Sequence, residues 1–152
     1  MLCGVKIDTT VTKATAPVNF APSPIRPEWI LDGQPVARIQ QLSSCADGRA
    51  GTYYWDCTAG RFNWFYAFDE VCHILEGEIF LKGPSGTRQL IAGDTVFFPI
   101  GAAIEWTVPK YVRKLAVCRA PEPAVLTRVR GAVRSIKRLV HGGAADSGGG
   151  LL

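Results

Sequence analysis

The sequence predicts an all-β fold, a barrel or sandwich of short strands. From Trp29 onward, short apolar segments alternate with turn signals built from glycine, aspartate and proline. Aromatic and β-branched residues dominate the apolar segments, and these residue types suit a pleated, half-buried surface. Such regularly spaced turn signals are typical of barrels and sandwiches. The turn signals are Asp32-Gly33, Asp47-Gly48, Ala59-Gly60, Gly77, Gly83-Pro84-Ser85-Gly86 and Gly93-Asp94.

The strands follow from where the apolar segments begin and end between these turns. They are predicted at residues 37–43, 51–57, 61–67, 71–75, 78–82, 87–91, 95–98, 103–108 and 112–119.

Length and composition favour one compact domain. A chain of 152 residues with 47% hydrophobic content has enough apolar surface for a single core. No apolar run is long enough to span a bilayer, and the first residues lack the pattern of a secretion signal, so a cytoplasmic location is predicted. The five cysteines form no CxxC pair and are expected to be thiols.

Four segments are distinguished along the chain. Residues 1–28 are rich in threonine, alanine and proline and predict an extended N-terminal arm. Residues 29–120 form the predicted barrel, and residues 121–141 a C-terminal amphipathic helix. The glycine-rich residues 142–152 are predicted to be disordered.

The predicted helix carries much of the formal charge of +4, because basic residues cluster after Arg119. Its basic face could meet an anionic partner or a membrane surface. We favour packing of its apolar stripe on the barrel or on a second subunit, since the helix is short and has no aromatic anchor. The barrel has no basic stripe interleaved with aromatic residues, so neither nucleic acid nor membrane is predicted as a partner. The stripe comprises Val125, Leu126, Val129, Val133, Ile136 and Val140.

Two glycine-containing motifs mark strand ends in the barrel. The segment from Asp69 to Glu78 includes Gly77, which can supply a positive φ between strands. In the second motif, Gly93-Asp94 makes a tight turn, Pro99 ends the following strand, and Gly101 lets the chain reverse. Folding alone accounts for these residues.

In order and spacing, these motifs resemble the small RmlC-like cupins grouped with the (S)-ureidoglycine aminohydrolase cupin domain. The resemblance covers residues 29–119 and implies a double-stranded β-helix, or jelly-roll barrel, with a small-molecule pocket and often a homodimer. Further matching segments are Trp55-Asp-Cys-Thr-Ala-Gly60, Phe62-Asn-Trp64-Phe-Tyr66, Trp106-Thr-Val108 and Val112-Arg-Lys114.

The resemblance also implies where a cupin's metal-binding histidines would stand. Those positions hold Trp64, Tyr66 and Ile104 here, and only Glu70 matches a ligand position. Indole, phenol and an aliphatic side chain do not replace imidazole as metal ligands. We therefore expect no metal site and no cofactor, while a divalent metal held weakly by Glu70 stays possible.

Side-chain alternation predicts which residues share the barrel interior. On successive strands, Trp64 falls with Tyr66, Glu70 with Cys72, and Ile104 with Trp106. His73 falls on the opposite face from Glu70, and a satisfied structural histidine is favoured over a metal or catalytic role. The predicted ligand-binding residues are Trp64, Tyr66, Glu70, Cys72, Ile104 and Trp106, with Glu70 the candidate catalytic residue.

Two roles are open for Glu70. A carboxylate walled by aromatic rings would have a raised pKa and could act as a general acid or base, or bind a ligand. Alternatively, it could accept hydrogen bonds from Tyr66, Arg38, Arg61 or Arg113 and be purely structural. Without a histidine on their face, neither Cys57 nor Cys72 is expected to be an activated nucleophile.

Three functional hypotheses follow. The first is a metal-free cupin that binds a small organic ligand in an aromatic pocket. The second is a ureidoglycine aminohydrolase-like or sugar-modifying enzyme that uses Glu70, alone or with a weakly held metal. The third is a structural or regulatory dimer whose barrel is filled by its own side chains.

Overall fold

The computed structural model describes residues 19–122. The predicted C-terminal helix, apart from residues 121–122, and the predicted tail lie outside this range, as do residues 1–18 of the arm. Within it, a 3-10 turn at Pro27–Trp29 accompanies eight strands. The strands are β1 (Ala21–Pro22), β2 (Ile30–Gly33), β3 (Ala37–Ser44), β4 (Ala50–Phe65), β5 (Asp69–Gly83), β6 (Gly86–Ile91), β7 (Thr95–Phe98) and β8 (Ala103–Arg119).

All strand pairs are antiparallel, and they form one curved sheet that builds a jelly-roll barrel. The order along the sheet is β1-β3-β4-β8-β5-β6, with β2 paired to β4 and β7 paired to β5. The long strands β4, β8 and β5 are central and contribute to both ends of the barrel. The all-β prediction is confirmed.

Three pairs of predicted strands are in fact single long strands, so those predicted breaks are wrong. Residues 51–57 and, of the predicted strand 61–67, residues 61–65 belong to β4, which pairs with β8 on both sides of a register shift between Thr58 and Gly60. Likewise, residues 71–75 and 78–82 join in β5, and residues 103–108 and 112–119 join in β8. The residues between them bend the strand at β-bulges and do not end it, because pairing resumes beyond each irregularity.

The structure adds two short strands that the sequence pattern did not indicate. β1 lies in the predicted arm, where Ala21 and Pro22 pair with the edge of β3. The nearby Ile25 is buried in the core. β2 pairs with the middle of β4. Strands this short carry too few residues to show an alternating pattern.

Gly77 lies at the bend of β5, with a φ of +80°. It pairs with Val112 of β8, and a Cβ atom at this position would overlap the carbonyl oxygen of Tyr111. Glycine is thus required here for two reasons, the positive φ and the close approach of the neighbouring backbone.

The core fills one half of the barrel. Phe62 stacks on Trp106 with ring centroids 6.1 Å apart, and Phe98 packs against the same indole. Ile74 and Ile79 of β5 are completely buried beside them. The aromatic packing closes this half, whereas the other half, near the start of β4 and the end of β8, contains a cavity. No helix within residues 19–122 is long and apolar enough to cross a membrane.

Replacement of Gly77 by alanine should destabilise the fold by at least about 3 kcal/mol, because it adds a backbone clash to a strained φ. Gly86 is the matched control: it also has a positive φ, +106°, but a Cβ there meets nothing within 4 Å. Gly86→Ala should therefore cost only about 1–2 kcal/mol. Urea unfolding of both variants measures the difference, and equal losses would contradict the role assigned to Tyr111.

Candidate functional site

The cavity has a volume of about 380 Å³ and opens at one end of the barrel. Aromatic side chains form much of its wall: Tyr53 and Trp55 from β4, Trp64 from the far end of β4, and Phe68 from the loop before β5. Trp55 and Trp64 meet at an angle of 67° with centroids 6.0 Å apart. This wall can contact the faces and edges of a planar ligand.

A buried ion pair lies at the cavity. The ammonium of Lys114 on β8 donates a hydrogen bond to Oε1 of Glu70 on β5, with an Nζ–Oε1 distance of 2.5 Å. Both side chains are only 5% exposed, and both line the cavity. Removing two charges from water costs several kcal/mol per ion, so such a pair is weak evidence for stability and needs another explanation.

The strand register explains how these two residues meet. Glu70 lies opposite Cys118, and Lys114 lies opposite Ile74, so the lysine starts four residues along β5 from its partner. Between them, Cys72 lies opposite Ala116. These small side chains leave room for the long lysine chain to run along the barrel interior toward Glu70.

Two indole rings also contact the ammonium. Lys114 Nζ lies 5.0 Å from the ring centroid of Trp55 and 4.9 Å from that of Trp106, within the range of cation–π attraction. Burial lowers the pKa of Lys114. The carboxylate of Glu70 and the neighbouring thiols together raise it by more than burial lowers it, so the pKa lies above its ordinary value. Lys114 is therefore a fixed cation at neutral pH.

The ion pair has unused hydrogen-bonding capacity. An ammonium group has three donors, and among the described residues Lys114 donates only to Glu70. The second carboxylate oxygen, Oε2, accepts only a long contact of 3.8 Å from the thiol of Cys118. The indole nitrogen of Trp55 is buried and has no partner within residues 19–122. The Glu70–Lys114 pair, which lines the cavity, thus offers hydrogen-bonding positions that a ligand could satisfy.

Of the six predicted ligand-binding residues, Trp64 and Glu70 line the cavity. Tyr66 instead stacks on Phe98 with centroids 4.4 Å apart, and Cys72 is completely buried in the core. Ile104 packs against the core, and Trp106 contacts Lys114 from within the core. Alternation placed these side chains on the interior face, but it could not say at which depth of the barrel each would lie.

Within residues 19–122, Glu70 accepts hydrogen bonds from Lys114 and Cys118, and not from the candidate partners of the structural alternative, which were Tyr66, Arg38, Arg61 and Arg113. Arg38 forms a bidentate ion pair with Asp56, whose side chain is 1% exposed. Arg61 and Arg113 pair with Glu105 and Glu76. These arginines belong to other ion pairs, whereas Lys114 faces the interior.

The thiols are not activated. Burial raises the pKa of Cys57 to about 12 and that of Cys72 to about 11. The pKa of Cys118 is raised to about 12 by burial and then by the charge of Glu70. A raised pKa keeps these three thiols protonated at neutral pH, as predicted for Cys57 and Cys72.

His73 faces away from Glu70, as alternation predicts. Its Nδ1 lies 2.8 Å from the hydroxyl oxygen of Thr95 on β7. This contact joins two neighbouring strands at the outer surface of the barrel, so His73 has a structural partner and no access to the cavity.

A divalent cation does not fit the residues at Glu70. Within residues 19–122, no cluster of three histidine, cysteine, aspartate or glutamate side chains could hold a metal. Moreover, the ammonium of Lys114 already occupies the carboxylate and would repel a second cation. Cupins often bind metals, but the donor set here suits an organic ligand better.

The sequence reasoning missed five residues that the site uses: Tyr53, Trp55, Phe68, Lys114 and Cys118. A signal for Lys114 was present: it is the one charged residue in the inward series Val112, Lys114, Ala116 and Cys118. Tyr53 and Trp55 occupy alternate positions of β4, and their contribution depends on the register between β4 and β8.

Comparison with known proteins identifies similar barrels. Residues 45–116 match the family model described as the EutQ-like cupin domain. Acetate kinase EutQ of Salmonella typhimurium is 38% identical over 68 residues, which are 45% of this chain and 29% of that protein. The chain thus spans less than a third of the curated relative.

Solved structures give the same architecture. An ethanolamine utilization protein Q from Salmonella typhimurium is 28% identical, with 57% of this chain and 72% of that chain covered and a TM-score of 0.51. A DUF861 protein of unknown function from Pseudomonas syringae is 27% identical, with 66% of this chain and 44% of that chain covered and a TM-score of 0.61. The polyketide cyclase RemF from Streptomyces resistomycificus is similar in fold alone. It is 19% identical, with 74% of this chain and 82% of that chain covered and a TM-score of 0.55.

Breaking the ion pair should be far more harmful than replacing it. Lys114→Met leaves the Glu70 carboxylate buried without a counter-charge and should lower the free energy of unfolding by roughly 3–5 kcal/mol. The double variant Glu70→Leu, Lys114→Met removes both charges and should lie within about 2 kcal/mol of the wild type. Urea unfolding tests this, and a double variant as unstable as the single one would mean that the pair itself stabilises the fold.

Added Mn²⁺ should not stabilise the protein, because Lys114 competes for Glu70. We expect the Tm to change by less than about 1 °C with excess Mn²⁺, since only a ligand that binds the folded state raises the Tm. Mg²⁺ at equal ionic strength is the control. Near-stoichiometric manganese, iron, nickel or zinc in the untagged purified protein, measured by elemental mass spectrometry, would refute this assignment.

Proposed function

We propose that the barrel, whose residues 45–116 match the EutQ-like cupin model, is a cupin domain that binds a small organic ligand in its aromatic cavity. The observation that carries the proposal is the buried pair of Glu70 and Lys114, which lines an open cavity and has unused donors and acceptors. Burial of two charges costs free energy, and a bound polar group would compensate part of that cost by hydrogen bonding to them.

The dimensions of the cavity support a small ligand. Its volume of about 380 Å³ falls at the lower end of the range for small-molecule sites. Apolar and aromatic walls with a few convergent polar groups are the usual composition of such sites. Tyr53, Trp55, Trp64 and Phe68 provide the walls, and the ion pair provides the polar groups.

The enzyme hypotheses receive less support from the geometry. A ureidoglycine aminohydrolase-like reaction on a metal would require Glu70 to leave Lys114. As a general base, Glu70 would have to give up the hydrogen bond that it accepts from the Lys114 ammonium. Binding without turnover requires neither change. A homodimer and a cytoplasmic location stay predictions of the sequence.

A barrel filled by its own side chains, the third hypothesis, is also less favoured. Phe62, Phe98 and Trp106 fill one half, but the cavity occupies the other. We therefore favour ligand binding over a purely structural role.

Binding of a planar probe, 2-naphthol, tests the proposal by isothermal titration calorimetry. The wild type should bind it with a Kd of about 10 µM to 1 mM, as expected for eleven non-hydrogen atoms at about 0.4–0.6 kcal/mol each. Phe68→Ala removes part of the cavity wall and should weaken binding about fivefold or more. Phe97→Ala is the matched control, because Phe97 is 57% exposed and is not among the residues that line the cavity.

Two results would contradict the proposal. The first is no measurable binding of 2-naphthol by the folded wild type. The second is equal weakening by Phe68→Ala and Phe97→Ala, which would place the probe outside the cavity.

A further inference from the structure

We infer that the ligand is a neutral aromatic compound that carries a hydroxyl group, and that this hydroxyl group binds between Lys114 and Glu70. The inference rests on the proposed function and specifies the chemical class of its ligand. Three features of the site support it: the net charge of the ion pair, its free hydrogen-bonding positions and the angles between the aromatic walls.

The net charge of the pair favours a neutral group. Lys114 is a fixed cation, and its charge is compensated at 2.5 Å by the carboxylate of Glu70. An anionic group that approaches the ammonium would also approach this carboxylate, and a cationic group at the carboxylate would approach the ammonium. In a buried site, like-charge contacts of this kind cost several kcal/mol. At the pair itself, neither a carboxylate nor an amine is therefore a good match.

The free positions of the pair match a hydroxyl group. Lys114 has donors that no described residue accepts, and Glu70 Oε2 has only the long thiol contact from Cys118. A hydroxyl oxygen can accept a hydrogen bond from the ammonium while its own proton is donated to Oε2. The thiol is a weak donor, so a hydroxyl group can displace it at little cost. One ligand atom would thereby satisfy both members of the pair.

The walls favour an aromatic body for the ligand. Trp55 and Trp64 meet edge to face, and Tyr53 and Phe68 complete the wall. A planar ring can stack on one of these rings and present its edge to another, which are the two preferred aromatic contacts.

A series of naphthalene probes separates these contributions by calorimetric titration. 2-Naphthol can both accept and donate a hydrogen bond, 2-methoxynaphthalene can only accept one, naphthalene can do neither, and 2-naphthoate is charged. For the wild type we expect 2-naphthol to bind at least about tenfold more tightly than naphthalene and 2-naphthoate, with 2-methoxynaphthalene between them.

The double variant Glu70→Leu, Lys114→Met provides the matched control, because it leaves no unpaired buried charge. It should bind naphthalene at least as tightly as the wild type does. Its preference for 2-naphthol over naphthalene should fall to less than about threefold. The comparison is made only on variants that unfold cooperatively in urea, and Lys114→Leu with Glu70→Met is a second apolar pair should the first not fold.

Each outcome bears on one of the two proposals. If naphthalene or 2-naphthoate binds the wild type as tightly as 2-naphthol, the hydroxyl inference is overturned while the aromatic binding site stands. An unchanged preference in the double variants likewise overturns it, because the hydroxyl group would then contact other residues. If no probe binds, the proposed function fails and the inference fails with it.

Discussion

The ion pair between Glu70 and Lys114 is the constraint on which the rest of the site depends. Two charges that are only 5% exposed must be compensated by their surroundings. The compensation comes from their mutual bond and from the faces of Trp55 and Trp106, which lie about 5 Å from the ammonium. This requirement accounts for the indole rings near the pair and for the small residues beside it.

The fold supplies the geometry that the pair needs. Antiparallel pairing of β5 with β8 brings Glu70 and Lys114 onto one interior surface, and the bend at Gly77 turns β5 so that its two halves serve different parts of the barrel. Packed aromatic rings close the half of the barrel that holds the core. In the half that contains the cavity, the inward-facing side chains of β5 and β8 include Glu70 and Lys114, which line the cavity.

A lysine ammonium beside Glu70 changes what the barrel can do. It is a cation that belongs to the chain, so the site can polarise or hold an oxygen atom without an imported ion. A metal would offer several coordination positions and exchange its ligands, whereas an ammonium offers three directed donors at a fixed place. The geometry therefore favours selective binding of one oxygen-bearing group over metal-assisted hydrolysis.

The sequence by itself determined the all-β architecture, because strand composition and turn residues are local properties. It also determined the inward-facing set, since alternation is a property of each strand. It did not determine that the strands on either side of Gly77 are continuous, because a glycine at a bulge and a glycine at a turn look alike in sequence. Only the tertiary structure decided that Lys114 is the partner of Glu70, and that Tyr66 and Cys72 lie in the core while Trp55 and Tyr53 line the cavity. These facts depend on the register between β4, β8 and β5, which is set by pairing between residues far apart in the chain.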